Sequence, residues 1–213
     1  LATAYNNLAS SIHYQGRRTE AEPFYREAVA IGRRAFGPDH PHVAFFAENL
    51  APLLDDLGRH DEAEPYYRDA LRILTTALDP DNPRLALLRR NLALNRHAVG
   101  AYGEAEALLR ASVAALEATL GADHLYAALA RASLGRTLTA AGRASEGLPL
   151  LRCSLAALEG QLPEGHWRVQ VVRSDLGAAL AATGDVADGE RLLLDSHAAL
   201  LADRGADDYS TRD

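Results

Sequence analysis

The sequence predicts an all-α protein built from five antiparallel helix pairs stacked into a solenoid. Three observations carry that reading. Leu8, Leu50, Leu92, Leu134 and Leu176 stand 42 residues apart. Gly16, Gly58, Gly100, Gly142 and Gly184 keep the same step. Within each period, apolar residues recur at helical spacing on both sides of the glycine. A fixed period of this size is the signature of units that cannot bury their apolar faces alone and must stack. Five periods fill the 213-residue chain almost completely, as one array with repeats at about 1–42, 43–84, 85–126, 127–168 and 169–213.

Each element of the repeat has a local cause. In the second repeat, VAFFAENLAPLLDDL carries apolar residues at helical spacing, and Gly58 follows where a helix ending left-handed favours glycine. RHDEAEPYYRDALRILTTAL then reads as a second, longer helix, stopped by the turn residues Asp79-Pro80-Asp81-Asn82-Pro83. Thr19, Asp61, Gly103 and Ser145 share one repeat position and are predicted to cap the second helices, with Glu22, Glu64 and Glu106 three residues on completing capping boxes. Ala187 occupies this cap position in the fifth repeat, where more fraying is expected. Pro23, Pro65 and Pro149 are tolerable so early in a helix.

Ala9, Ala51, Ala93, Gly135 and Gly177 form one small-residue position, and Ala21, Ala63, Ala105, Gly147 and Gly189 another. Both should let antiparallel helices approach closely. Tyr25, Tyr67, Leu109, Leu151 and Leu193 are expected to fill the space between neighbouring repeats. Pro52 interrupts a first helix and predicts a kink or a locally opened stretch between Glu48 and Leu53.

The hydrophobic fraction of 48% is enough for a folded core. A net charge of −7, with every basic residue an arginine, argues against a nucleic-acid or membrane-surface binder. No apolar run is long enough to span a membrane. Cys153, the single cysteine, cannot form an internal disulfide and is expected to pack as a small apolar residue in a reducing compartment, so the expected location is cytoplasmic. The chain starts without Met inside a helix pattern, which reads as a fragment of a longer protein.

Residues 6 to 41 name a family. Asn6-Asn7-Leu8-Ala9, Gln15-Gly16-Arg17, Glu20-Ala21-Glu22-Pro23 and Gly37-Pro38-Asp39-His40-Pro41 resemble the tetratricopeptide repeat, more narrowly its 42-residue kinesin-light-chain type. The second repeat keeps Asn49-Leu50-Ala51, Gly58-Arg59, Glu62-Ala63-Glu64-Pro65 and Asp81-Asn82-Pro83; the third keeps Asn91-Leu92-Ala93 and Glu104-Ala105-Glu106. The fourth and fifth diverge but stay in register. The resemblance implies a right-handed superhelix whose first helices line a concave groove. It also implies that groove asparagines grip a peptide backbone, at Asn7, Asn49 and Asn91 here. Ser133 and Asp175 break that ladder in the last two repeats.

An asparagine amide offers donors and an acceptor together, which suits a peptide backbone. Helical spacing adds Asn6, Ser10, His13 and Tyr14 in the first repeat, Glu48, Asp55 and Asp56 in the second, Arg90, Leu94 and His97 in the third, and Arg131 and Arg136 in the fourth. Net charge by repeat runs +1, −5, 0, +2 and −5. Arg89, Arg90, Arg96, Arg131 and Arg136 are therefore candidates to meet an acidic peptide or terminal carboxylate, or else to pair with neighbouring Asp and Glu. The groove set is Asn6, Asn7, His13, Asn49, Asp56, Arg90, Asn91 and Arg136.

Candidates for chemistry are weak. His40, His124 and His166 share one loop position, so repetition explains them. Asp39-His40-Pro41-His42 lacks the further ligands of a metal site. There is no nucleophile motif and no phosphate-binding loop. The expectation is a non-enzymatic module without cofactor or metal that binds a protein or peptide partner, with no nucleic acid and no membrane. The alternative is a regulatory or assembly arm of a larger signalling protein, since bacterial proteins resembling this one join such repeats to a kinase or a nucleotide-binding ATPase. Apolar residues exposed at the two array ends would favour self-association.

Overall fold

The computed structural model describes residues 1–204. Residues 207–213, whose sequence reads as the loop and start of a sixth repeat, lie outside them. Among the described residues there are ten helices and no strand. In order they are α1 (Ala2–Tyr14), α2 (Arg18–Phe36), α3 (Pro41–Asp56), α4 (His60–Ala77), α5 (Pro83–Ala98), α6 (Tyr102–Leu120), α7 (Leu125–Ala140), α8 (Ala144–Glu159), α9 (Trp167–Ala182) and α10 (Val186–Arg204). Odd and even helices are the first and second helices of the predicted pairs.

The chain divides into two compact units, the first Leu1–Gly100 and the second beginning at Ala101. In the first, α1 packs on α2, α2 on α3, α3 on α4 and α4 on α5. Its core is Phe46, Leu50, Leu53, Leu54, Ile73, Leu74, Leu85, Leu88 and Leu92, all essentially inaccessible. Gly32 leaves room for Phe46, whose ring would lie 2.8 Å from a Cβ at that position. In the second unit α6 packs on α7, α7 on α8, α8 on α9 and α9 on α10. Leu151, Leu158, Val169, Val172, Leu176 and Leu180 form its centre. Burying each such side chain contributes about 1.5–3 kcal/mol.

The repeated glycine closes each first helix. Gly58 has φ +73°. Its N–H donates to the Asp55 carbonyl at 2.8 Å, and the Arg59 N–H donates to the Leu54 carbonyl at 2.8 Å. This is a left-handed helix stop that satisfies two terminal carbonyls, and the chain reverses within it.

That stop corrects the cap prediction. The second helices begin at Arg18, His60, Tyr102 and Ala144, so Arg17, Arg59, Ala101 and Arg143 sit at the N-cap with no side-chain cap bond. Thr19, Asp61, Gly103 and Ser145 already lie inside the helix, as does Ala187 in α10. Glu20, Glu62 and Glu146, at the third helical position, take the preceding arginine instead: Arg17 at 2.6 Å, Arg59 at 2.7 Å and Arg143 at 2.7 Å. The carboxylates also lie favourably in the first turn of the helix dipole.

The Tyr25 and Tyr67 hydroxyls donate to Ser10 (3.0 Å) and Asp55 (2.8 Å) of their own repeat's first helix. Two further expectations change. Helix α3 runs unbroken through Pro52, so the locally opened stretch is absent; proline there removes a single donor. Cys153 is exposed rather than packed, with Arg131 Nη1 at 3.4 Å from its sulfur. Apolar exposure on the outer helices is present: Leu1, Leu8 and Tyr14 at α1, Val186 and Leu194 on α10.

Candidate functional site

In the first unit, α3 touches both α1 and α5, so three first helices lie side by side. Asn7, Asn49 and Asn91 occupy equivalent positions on them. The Asn49 amide donates to Asn6 Oδ1 at 3.0 Å. Asn6 is only 2% exposed. It therefore does not line an open face as predicted; it orients Asn49 from beneath, leaving the Asn49 carbonyl oxygen uncommitted. Asn7 is exposed and Asn91 half-buried. Neither amide makes a hydrogen bond among the described residues.

Two other predicted residues come together at the end of these helices. His13 Nε2 lies 3.2 Å from Asp56 Oδ2, joining α1 to α3, and Arg18 Nε stands 3.4 Å from the same oxygen. The pair is partly open to solvent, with side-chain exposures of 25% and 31%. Tyr14 beside it is 93% exposed.

Asp55, next in the chain, faces inward and is a hub. It accepts from the Tyr67 hydroxyl at 2.8 Å and from Asn95 Nδ2 at 2.6 Å, and lies 2.9 Å from His60 Nδ1. Asn95 is buried, donates again to the His60 carbonyl at 2.9 Å, and accepts from Arg96 Nη2 at 2.6 Å. Arg96 Nη1 in turn pairs with Glu64 at 2.5 Å. Burial, reinforced by the Asp55 charge, pushes the Tyr67 hydroxyl well above the ordinary tyrosine range. The sequence reading missed Asn95; its only signal was a polar residue on an otherwise apolar stripe of α5.

Arg90 lies close enough to Tyr67 for its charge to act on the hydroxyl, and its side chain is not free. Glu48 is taken by Arg84. Arg96 and Arg131 are buried and internally paired, Arg131 with Glu117 at 2.5 Å and the Ala122 carbonyl at 2.8 Å. Neither is a surface receptor for carboxylate. Arg136 stands on α7 in the second unit, its Nε buried without a hydrogen-bond partner. The ladder asparagines, the His13–Asp56 pair and Arg90 are thus all in the first unit. Among the described residues no group of three or more His, Cys, Asp or Glu could hold a metal ion. No helix there is long and apolar enough to cross a membrane.

Family models described as "Tetratricopeptide repeat" match residues 1–76 and 85–126, together more than half of the chain. The chain belongs to the tetratricopeptide-repeat family. Its structure is similar to one of two crystal structures of the nearly identical TPR-like repeats of a kinesin light chain from Podosopora anserina, at 24% identity and a TM-score of 0.76, covering 94% of each chain. It is also similar to BtubC (BKLC) from P. vanneervenii, at 23% identity and a TM-score of 0.73, covering 92% of this chain and 78% of that one. At such identities the likeness is one of fold: an all-α tetratricopeptide solenoid of the kinesin-light-chain-like type. No curated protein matches the sequence. Tetratricopeptide repeats generally mediate protein–protein interaction and are typically non-catalytic.

Proposed function

We propose that the first unit binds an extended or helical peptide segment of a protein partner along α1, α3 and α5. The observation that carries this is the state of the ladder. Asn7 and Asn91 have no internal hydrogen bond among the described residues, while Asn49, between them, is held by Asn6 with its carbonyl oxygen uncommitted. An amide so presented can donate to a peptide carbonyl and accept from a peptide N–H. Contacts of that kind grip the backbone whatever the peptide sequence. Selectivity would then come from what flanks the ladder: the His13–Asp56 pair on one side and Arg90 beside Asn91 on the other.

The test is capture from a peptide library by the wild type and by the triple variant N7A/N49A/N91A. Affinity should fall at least tenfold, since each lost hydrogen bond contributes about 0.5–1.5 kcal/mol. Losing Asn49 also leaves the buried Asn6 oxygen without its donor, at about 1–3 kcal/mol, so the comparison is made at a temperature where both proteins are folded. Unchanged capture by the folded variant removes the asparagines from the function.

A further inference from the structure

We propose that three inter-repeat corners form an acid-sensitive device, in which His40, His124 and His166 cap the helices that follow them only while their imidazoles are neutral. Each is the N-cap residue of a first helix. In each, ring Nδ1 accepts the backbone N–H two residues on: His42 at 3.1 Å, Tyr126 at 3.2 Å and Arg168 at 3.1 Å. A backbone N–H can only donate, so Nδ1 must carry its lone pair and the ring proton must sit on Nε2. Adding a proton to Nδ1 turns the acceptor into a donor and breaks the bond. It also places a positive charge at the positive end of a helix dipole. The stability this bond contributes is present where the imidazole is neutral. It is lost once the ring takes up that proton.

Among the described residues none of the three rings forms an ion pair. His40 is stacked on Phe36 of α2 at 4.8 Å and on His42 at 5.1 Å, so a proton on one imidazole opposes a proton on the other. Its chain neighbour Asp39 is taken by Arg72 of α4 at 2.6 Å. His124 lies against the Tyr126 ring at 5.4 Å. It follows Asp123, whose carbonyl accepts from the Gln161 side chain, and the nearby Arg131 is held by Glu117. His166 lies against Trp167 at 5.9 Å, over which the Arg168 guanidinium sits at 4.5 Å, and Glu164 stands two residues before it in the chain.

The molecule carries its own controls. Helix α5 is capped at the equivalent place by Asn82, whose Oδ1 accepts the Arg84 N–H at 3.0 Å and does not titrate. His13 and His60, by contrast, face carboxylates, Asp56 and Asp55.

The experiment uses the full chain. Amide hydrogen exchange by NMR at about pH 7.5 and about pH 5.5, corrected for intrinsic rates, should show protection at His42, Tyr126 and Arg168 falling roughly fivefold on acidification. Protection at Arg84 should hold. In parallel, the wild type should lose roughly 5 °C more in Tm across that interval than the variant H40N/H124N/H166N, whose asparagines cap at either pH. Protection at Arg84 falling alongside the other three, or equal Tm losses in the two proteins, overturns the proposal.

Discussion

The two units solve one packing problem in different ways. In the first, the paired small positions are alanines, Ala9 with Ala21 and Ala51 with Ala63, and the residue filling the space beside them is a tyrosine whose hydroxyl needs a partner. Tyr67 finds Asp55, and through Asp55 reaches Asn95 and His60. In the α7–α8 and α9–α10 pairs of the second, both small positions become glycine and the filler becomes leucine. A Cβ on Gly147 would lie 2.5 Å from the Gly135 carbonyl oxygen, and one on Gly189 would lie 2.8 Å from that of Gly177. Backbone meets backbone there, and among the described residues α7–α8 and α9–α10 have no equivalent of the tyrosine hub. Polar coupling and the asparagine ladder share the first unit; the second is held by close, mainly apolar contact.

The largest expected effect breaks the polar side of this comparison. Asp55→Ala leaves the buried Tyr67 hydroxyl and the Asn95 amide without their acceptor. Unsatisfied buried groups cost about 1–3 kcal/mol each, so a loss of about 3 kcal/mol is expected in chemical denaturation. Asp55→Asn, which keeps one acceptor oxygen, should lose less. If Asp55→Ala unfolds at the wild-type midpoint, the hub is ornamental and the units differ less than their contacts imply.

A somewhat smaller effect tests the other side. Gly147→Ala puts a methyl group against backbone and against Thr139 Oγ1, 2.8 Å away. Helices α7 and α8 must separate. Overpacking of this kind costs about 1–3 kcal/mol, offset by the ~0.5–1 kcal/mol that alanine gains over glycine in a helix, so a net loss of about 1–2 kcal/mol is expected. Ala63→Gly in the first unit should also destabilise, but by the opposite route: lost methyl burial and greater unfolded-chain entropy. A stabilised Gly147→Ala protein would show that the close approach relaxes without strain.

What could be read in the sequence follows the same division. Positions that repeat every 42 residues for packing announced themselves, because Leu50, Gly58 and the Ala/Gly pairs have one structural job each. The caps were misread for a physical reason. Thr19, Asp61 and Ser145 are good cap residues, but the left-handed stop at the preceding glycine uses only one more residue before the next helix starts. The Arg-x-x-Glu spacing of Arg17–Glu20, Arg59–Glu62 and Arg143–Glu146 was the visible sign of the true boundary. The Asp55 hub was not legible, since His60, Tyr67 and Asn95 reach it from α4 and α5 and no local pattern links them. Asn6 and Asn7 are adjacent and chemically identical; only burial tells the buried support from the exposed ladder residue.

The smallest expected effect concerns a feature the units share. Glu22 in the first takes Arg26 and Arg59, and Glu106 in the second takes Arg110 and Arg143. The third repeat has Ala101 where Arg59 and Arg143 stand, and there Glu64 takes Arg96 instead. The hydrogen bond from Arg59, then that from Arg26, holds the Glu62 carboxyl down to about 2. Glu146 is lowered chiefly by its bond to Arg143, and Glu106 by Arg110 and Arg143. A carboxylate lowered in the folded state contributes stability that is complete above its unfolded value, about 4.3, and is lost as pH falls towards the folded one. Acid unfolding should therefore steepen between about pH 4.5 and pH 2. These pairs are exposed, so the slope should be shallow and should flatten in high salt. Arg59→Ala and Arg143→Ala should each remove part of it, and by similar amounts, because each arginine joins two glutamates in the same way in both units. If only Arg59→Ala changes the acid slope, electrostatic coupling belongs to the first unit alone and its contrast with the second becomes complete.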